Sequence, residues 1–289
     1  MHEFDLTAWV AQAPSSKEKE FREAVHCILE AIGSTEQLRT QMIMKGGVLM
    51  AIRYETGRNT RDIDFSTMEH YQDFKSSREE FLARLGEALE SVAVDALGYE
   101  IDLCVQSEKL QPKEDGNFQT LHLKIAYARR GSKQHKSFLR GNANTLVEVD
   151  YSFNEHIHDM DFVQLGDGVQ LSVYGQLTQI AEKYRAMLQL VMRGRERGQD
   201  VYDLHHLLTH HAPSIESHEM LLSFIKDKCA SRDLHIEQDS LRNPGIIAKA
   251  RSGYLKIAPQ IEGPLPAFEE AFEFVASFYE ALPWSIGGS

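Results

Sequence analysis

"MIMKGGVLMAIRYETGRNTRDIDFS", Met42 to Ser66, is the stretch on which the fold turns. Met42 to Met44 reads as a short strand, "GVLMAIRYE" as a helix entered through Gly46 and Gly47, and "DIDF" as a second strand. Residues i and i+2 of a strand share a face. Asp62 and Asp64 therefore present two carboxylates side by side, while Ile63 and Phe65 point the other way into a core. Adjacent carboxylates repel, and one tends to protonate unless a cation lies between them. Mg²⁺ takes oxygen ligands, often one or two carboxylates plus substrate phosphates. The acid-x-acid strand thus points to a divalent cation, with solubility at a strand end as the plainer alternative. Gly46 and Gly47 lie between strand and helix, where bare backbone and free N–H groups favour an anion such as phosphate. A plain tight turn is the alternative there. Lys45 is a phosphate contact or a surface charge.

A third acid on a neighbouring strand would complete a two-metal clamp, which activates an attacking oxygen and steadies a leaving one. "LVEVDYSF" offers Glu148 and Asp150, again at i and i+2, and "YEIDLCV" offers Asp102. Spacing does not choose among the three.

Outward from this stretch, Ser15 and Ser16 can cap a helix through "KEKEFREAVHCILEAIG", and Ser77 opens "SREEFLARLGEALESVAVDALG". "YEIDLCVQ", "FQTLHLKIAYAR" and "TLVEVDYSF" alternate apolar and polar residues and read as strands. After about Val173 the strands stop. "YGQLTQIAEKYRAMLQLVMRG" reads as one long helix, "DVYDLHHLLTHH" begins another, and "SHEMLLSFIKDKCA" and "PAFEEAFEFVASFYEAL" follow. The expectation is an α+β chain with residues 1–172 as a mixed lobe holding a small β-sheet, and residues 173–289 as a helical-bundle lobe.

With 42% hydrophobic and 26% charged residues, the chain has the composition of a packed globular protein. It has no apolar run of membrane-spanning length and no signal-peptide pattern at its start, so it is expected in the cytoplasm, away from membranes. Cys27, Cys104 and Cys229 have no metal-binding spacing and read as reduced thiols. The net charge of −12 argues against a general nucleic-acid coat. Two basic stretches stand out against it. One runs from Leu121 to Arg140 and holds Lys124, Arg129, Arg130, Lys133, Lys136 and Arg140. The other holds Lys183, Arg185, Arg193, Arg195 and Arg197, diluted by Glu182 and Glu196. Each is a solvated face or a seat for polyphosphate or an RNA end. His156 with His158, and His206 with His210, have ligand-like spacing but read more simply as exposed turns and helix faces.

"KGGVLMAIRYETGRNTRDIDF" resembles the first motif of the AbiEii/AbiGii (MenT-like) nucleotidyltransferase toxins, within the DNA-polymerase-β-type nucleotidyltransferase superfamily. Members pair a glycine turn with an acid-x-acid strand and a third acid on another strand, matched best here by Asp150 and next by Glu148. "IAEKYRAML" resembles the family's later lysine helix, with Lys183 and Ala186. "RERGQDVYDLHHL" matches a further motif at Asp200, Tyr202, Asp203 and Leu204, and departs from it at Gln199, where a basic residue is expected and Arg197 lies close by.

The resemblance implies a nucleotidyltransferase-fold lobe and an Mg²⁺- or Mn²⁺-dependent enzyme that transfers a nucleotide from an NTP. The implied acceptor is RNA, in some members the tRNA 3′ end, and the implied partner is a cognate antitoxin. On this reading Asp62, Asp64 and Asp150 hold metal, and Lys183 steadies the phosphates. Lys45, Gly46, Gly47, Arg61, Lys183 and Asp203 meet the nucleotide, with Asp203 alternatively orienting Lys183. Arg58 and Arg61 flank the aspartates and balance their charge. Arg129, Arg130, Lys133 and Lys136 are the candidate RNA contacts. The alternatives are a small-molecule or protein acceptor, or a degenerate nucleotide-binding protein.

Overall fold

The computed structural model describes residues 2–95, 97–112 and 117–284. Its strands are β1 (His2–Phe4), β2 (Ile43–Lys45), β3 (Asp62–Ser66), β4 (Ile101–Gln111), β5 (Thr120–Arg129), β6 (Leu146–Ser152), β7 (Met160–Leu165) and β8 (Gln170–Tyr174). The helices of the first part are α1 (Leu6–Ala11), α2 (Ser16–Ser34), α3 (Glu36–Gln41), α4 (Gly46–Tyr54), α5 (Tyr71–Phe74), α6 (Arg78–Asp95) and α7 (Lys133–Phe138). Those of the second are α8 (Gln176–Leu188), α9 (Leu190–Arg193), α10 (Gln199–His210), α11 (His218–Ala230), α12 (Pro244–Tyr254) and α13 (Phe268–Glu280). The chain groups into two compact units: Met1–Arg53 with Thr60–Val173, and Tyr54–Asn59 with Tyr174–Ser289.

The first unit is built on one 8-stranded mixed sheet in the order β1-β7-β8-β2-β3-β6-β5-β4. It is larger than the small sheet expected, because β1, β7 and β8 are too short or too weakly alternating to announce themselves as strands. β3 runs parallel to β6, while β2–β3, β5–β6 and β4–β5 are antiparallel. The alternation along β3 and β6 divides the sheet into two faces. Ile63, Phe65, Val147, Val149 and Tyr151 are buried on one of them. Tyr151 stacks on Phe81 of α6 with centroids 5.3 Å apart, and Phe74 and Phe153 pack around the pair. An aromatic cluster of this kind contributes burial plus about 0.5–1.5 kcal/mol per ring pair. Helix α2 begins where expected: the Ser15 hydroxyl accepts from the Glu18 amide at 3.1 Å. Helix α6 covers the Ser77-led segment through Asp95; of the expected extension to Gly98, Ala96 lies outside the described residues, and Leu97 and Gly98 are not helical.

The second unit is helical among the described residues, with α8 packed on α10 and α11, and α10 on α12 and α13. The expected single long helix from Tyr174 is instead two. Helix α8 ends with Gln189 as its C-cap, and the short α9 ends at Gly194. The Tyr184 hydroxyl, fully buried in this core, donates to the Val275 carbonyl at 3.0 Å. The segment Tyr54–Asn59 is stitched to the loop before α13: the Asn59 amide donates to the Gln260 carbonyl at 2.7 Å, and the Glu262 amide to the Gly57 carbonyl at 2.6 Å. No described helix is long and apolar enough to cross a membrane.

Candidate active site

Opposed residues on neighbouring strands share a face, and strand register assembles a polar row across the sheet. Lys45 pairs with Asp64, Asp64 with Asp150, Asp150 with His122, and His122 with Lys109. A second row runs Asp62–Glu148–Lys124. The sheet face opposite the aromatic core is therefore lined by charge. The register sets both candidate acids of β6 beside β3: Asp150 lies directly beside Asp64, and Glu148 beside Asp62. The Asp150 carboxylate lies 2.6 Å from His122 Nδ1 and accepts its hydrogen when the ring carries its proton there. Glu148 is exposed and ion-paired with Lys124 at 3.6 Å. Asp102 sits on β4, beyond β6 and β5 from the Asp62–Asp64 strand. It is bound there by Arg130 and His135, both at 2.7 Å, so it is not a third acid next to β3.

Gly46 has φ +76°, a left-handed conformation that disfavours any side chain. A Cβ built there would meet Asp64 Oδ2 at 2.0 Å. The glycine turn and the acid-x-acid strand thus form one packed unit, in which the missing side chain is the space the Asp64 carboxylate fills. Gly47 follows in the first turn of α4. Lys45 is largely buried and lies 3.5 Å from Glu155, an acid that no motif singles out. Arg61 turns to α2, pairing with Glu18 at 2.8 Å and lying over the Phe21 ring at 4.6 Å.

In the helical unit, Lys183 on α8 donates to Asp203 Oδ2 at 2.6 Å and to Asp200 Oδ1 at 3.3 Å. Arg58 grips Asp203 with both Nε and Nη2, each at 3.0 Å. Asp203 has no exposed surface, and its contacts are these two cations. Burial alone would push its carboxyl up, but Lys183 and Arg58 outweigh that and hold it below the usual range. The expected neighbour of Asp203, Lys183, is in direct contact with it. Arg197 Nε lies 3.0 Å from Asp200 Oδ2, an ion pair without hydrogen-bond alignment. It brings a cation to Asp200 although position 199 is glutamine. Arg58 carries no expectation as the partner of Asp203, since 145 residues separate them. Only the close spacing of charged residues around "GRNTRDID" hints at it.

The first basic stretch divides. Arg129 is held by Glu23 and by Glu20 at 3.4 Å, and Arg130 by Asp102. Lys133 and Lys136 stand exposed on α7. His206 Nε2 contacts the Tyr54 carbonyl oxygen at 2.7 Å, and burial holds its ring below the usual histidine range. Cys27 and Cys229 are buried, which pushes each thiol up to about 12, and Cys104 is half-buried.

Asp62, Asp64 and Asp150 are hard oxygen donors on one face of two paired strands, a donor set that suits Mg²⁺ or Mn²⁺. They are not drawn into a cage: among the described residues no group of three or more His, Cys, Asp or Glu side chains is arranged to hold a metal ion. Mg²⁺ sites need none, since substrate phosphates and water complete the octahedron. The residues fit such an ion.

A family model described as "Nucleotidyl transferase AbiEii toxin, Type IV TA system" matches residues 27–275. That span includes the glycine turn, the acidic rows and the Lys183–Asp203–Arg58 cluster. The chain belongs to this nucleotidyltransferase family, whose members are toxins of type IV toxin–antitoxin systems. It is similar to the crystal structure of JHP933 from Helicobacter pylori, with 16% identity over 92% of this chain and 93% of that one, and a TM-score of 0.48. It is also similar to a second H. pylori chain, provisionally assigned as a nucleotidyltransferase, with 16% identity over 95% and 100% and a TM-score of 0.49. No curated protein matches it.

Proposed function

We propose that this chain transfers a nucleotide from an NTP to an RNA acceptor, the 3′ end of a tRNA, in a reaction that requires Mg²⁺ or Mn²⁺, and that a cognate antitoxin restrains it. The direct pairing of Asp64 with Asp150, with Gly46 packed against the Asp64 carboxylate, carries this reading. Family membership supports the NTP, the divalent ion and the antitoxin.

Asp62, Asp64 and Asp150 would hold the divalent cation, which supplies charge neutralisation for the triphosphate and the departing pyrophosphate. Gly46 and Gly47 let phosphate oxygens approach the N-terminus of α4, where unpaired amides favour anions. In the transfer an acceptor hydroxyl oxygen forms a bond to the α-phosphorus. The bond from that phosphorus to the β-phosphate oxygen breaks, and pyrophosphate leaves. Asp150, held by His122, receives the hydroxyl proton directly or through water. Within the helical unit, Lys183 is the proposed catalytic cation, held by Asp203 and Asp200. Asp203 and Arg58 act through it as positioning residues. Lys133 and Lys136 contact the RNA, while Arg129 and Arg130, tied to acids, hold the segment that carries them.

Labelled NTPs, each offered with total RNA, protein and small metabolites, test the reading. Label in RNA, dependent on divalent ions, is the expected result. Label confined to protein or metabolites would sink the RNA acceptor. The Asp64→Ala protein should keep its fold by circular dichroism yet lose both transfer and growth inhibition. Toxicity that survives this change would remove the acidic rows from the mechanism.

A further inference from the structure

Apart from Lys183, the second basic stretch is not used by the reaction proposed above. Helix α8, the short α9 and the loop after it enclose a narrow cleft lined by Arg185, Gln189, Arg193, Arg195 and Arg197. Arg185 is balanced by Glu182 and braced by Gln189 at 2.6 Å, and Arg197 leans on Asp200. Among the described residues Arg193 and Arg195 have no acidic partner. Burial, and then the guanidinium groups of Arg185, Arg232, Arg195 and Arg197, hold Arg193 below the usual arginine range. Like charges crowd here on a chain whose net charge is −12.

The loop is also built. A Cβ at Gly198 would meet the Tyr254 amide nitrogen at 2.0 Å, and one at Gly253 would meet the Gly198 nitrogen at 2.5 Å. Backbone therefore crosses backbone with no room for side chains, which pins the segment carrying Arg195 and Arg197. Between these arginines Glu196 is drawn off to Lys256, so the acid does not neutralise its neighbours. The guanidinium forks of Arg193 and Arg195, without acidic partners among the described residues, suit the tetrahedral oxyanions of phosphate. The cleft's volume is about 10 Å³, room for no more than one water. Phosphates of a larger molecule would therefore meet these arginines at the mouth of the cleft rather than inside it.

We infer that Arg193, Arg195 and Arg197 form a subsite for backbone phosphates of a nucleic acid, and it is RNA if the acceptor proposed above is right. The test uses the full chain and a short fluorescein-labelled single-stranded RNA of mixed sequence, titrated by anisotropy across a range of salt. The Arg193→Gln/Arg195→Gln double variant should bind roughly tenfold more weakly at low salt. Its salt slope should fall by roughly 1.4, the share of two phosphate contacts on a single strand. A Lys17→Gln/Lys19→Gln variant on α2 removes the same charge from another exposed place and should lose far less. The arginine variant should melt no lower than the parent, since it relieves repulsion.

Equal losses in the two variants, an unchanged slope, or no RNA binding by the parent chain would overturn the inference. So would calorimetry with ATP, CTP, GTP and UTP showing that the arginine variant loses nucleotide rather than RNA binding. A parent chain that binds RNA through these arginines but labels none contradicts the transfer reading alone. One that labels RNA while the double variant binds it equally well contradicts only the subsite.

Discussion

Gly46 shows how one residue joins two motifs. Its positive φ and the 2.0 Å approach of Asp64 to its missing Cβ make it irreplaceable on two independent grounds. An L-residue in that conformation costs roughly 1–2 kcal/mol, and a methyl group there also drives the Asp64 carboxylate from its place. Gly46→Ala is expected to destabilise the chain by about 2 kcal/mol, read from its melting temperature. It should also lower nucleotide transfer by more than that stability loss explains at a temperature where the variant is fully folded. Normal transfer by a folded Gly46→Ala protein would separate the glycine turn from the acids. The GG pair was visible in sequence, but its contact with Asp64 was not. A residue's missing side chain leaves no trace of what fills the space, and Gly46 and Asp64 lie on different elements.

At the scale of elements, strand pairing ranks acids that spacing leaves equal. Glu148 and Asp150 share a face of β6, and both alternate correctly. The parallel register with β3 sets Asp150 against Asp64 and gives it His122 as a second neighbour, while Glu148 meets Lys124 near the exposed end of the row. Asp150→Asn should abolish transfer, and Glu148→Gln should leave most of it, both measured with the same labelled NTP and RNA. The reverse ranking would mean that the metal-holding acids lie in the Asp62 row. β3 and β6 were legible because five or more residues alternate cleanly. β1, at three residues, was not, and the α8–α9 break was hidden because the apolar stripe continues across Gln189. Periodicity reports which face is apolar and is silent on where backbone hydrogen bonds lapse.

For the molecule as a whole, buried and ion-paired carboxylates set the response to acid. Asp203 is depressed from its ordinary 3.8 by Lys183 and Arg58 against the opposing effect of burial. Asp102 is held down by Arg130 and His135, and Glu273 falls from 4.5 to about 2 beside Arg242. A depressed carboxyl stabilises the fold fully above its unfolded pKa and loses that contribution as pH falls through the folded value. Thermal stability should therefore be steady at neutral pH and fall between about pH 4.5 and 2. Arg58→Ala leaves Asp203 buried with fewer compensating charges, which costs roughly 3–5 kcal/mol. Its melting temperature should be lower at neutral pH and should fall less on further acidification. An unchanged melting temperature would show that Arg58 does not hold Asp203.

By itself the sequence determined the mixed α/β character of the chain, the helical run of its second part, and the acidic and basic residues available for chemistry. These follow from local pattern: alternation, helical spacing, caps and glycine turns act between residues close along the chain. The tertiary structure decided which of those residues meet. It matched Asp150 rather than Glu148 or Asp102 to Asp64, drew Arg58 to Asp203 across 145 residues, turned Arg61 toward Glu18, and gathered four arginines around one cleft. Such choices depend on strand register and helix packing, where one residue of slip turns a side chain to the opposite face. No count of residue types or spacings along the chain carries that information.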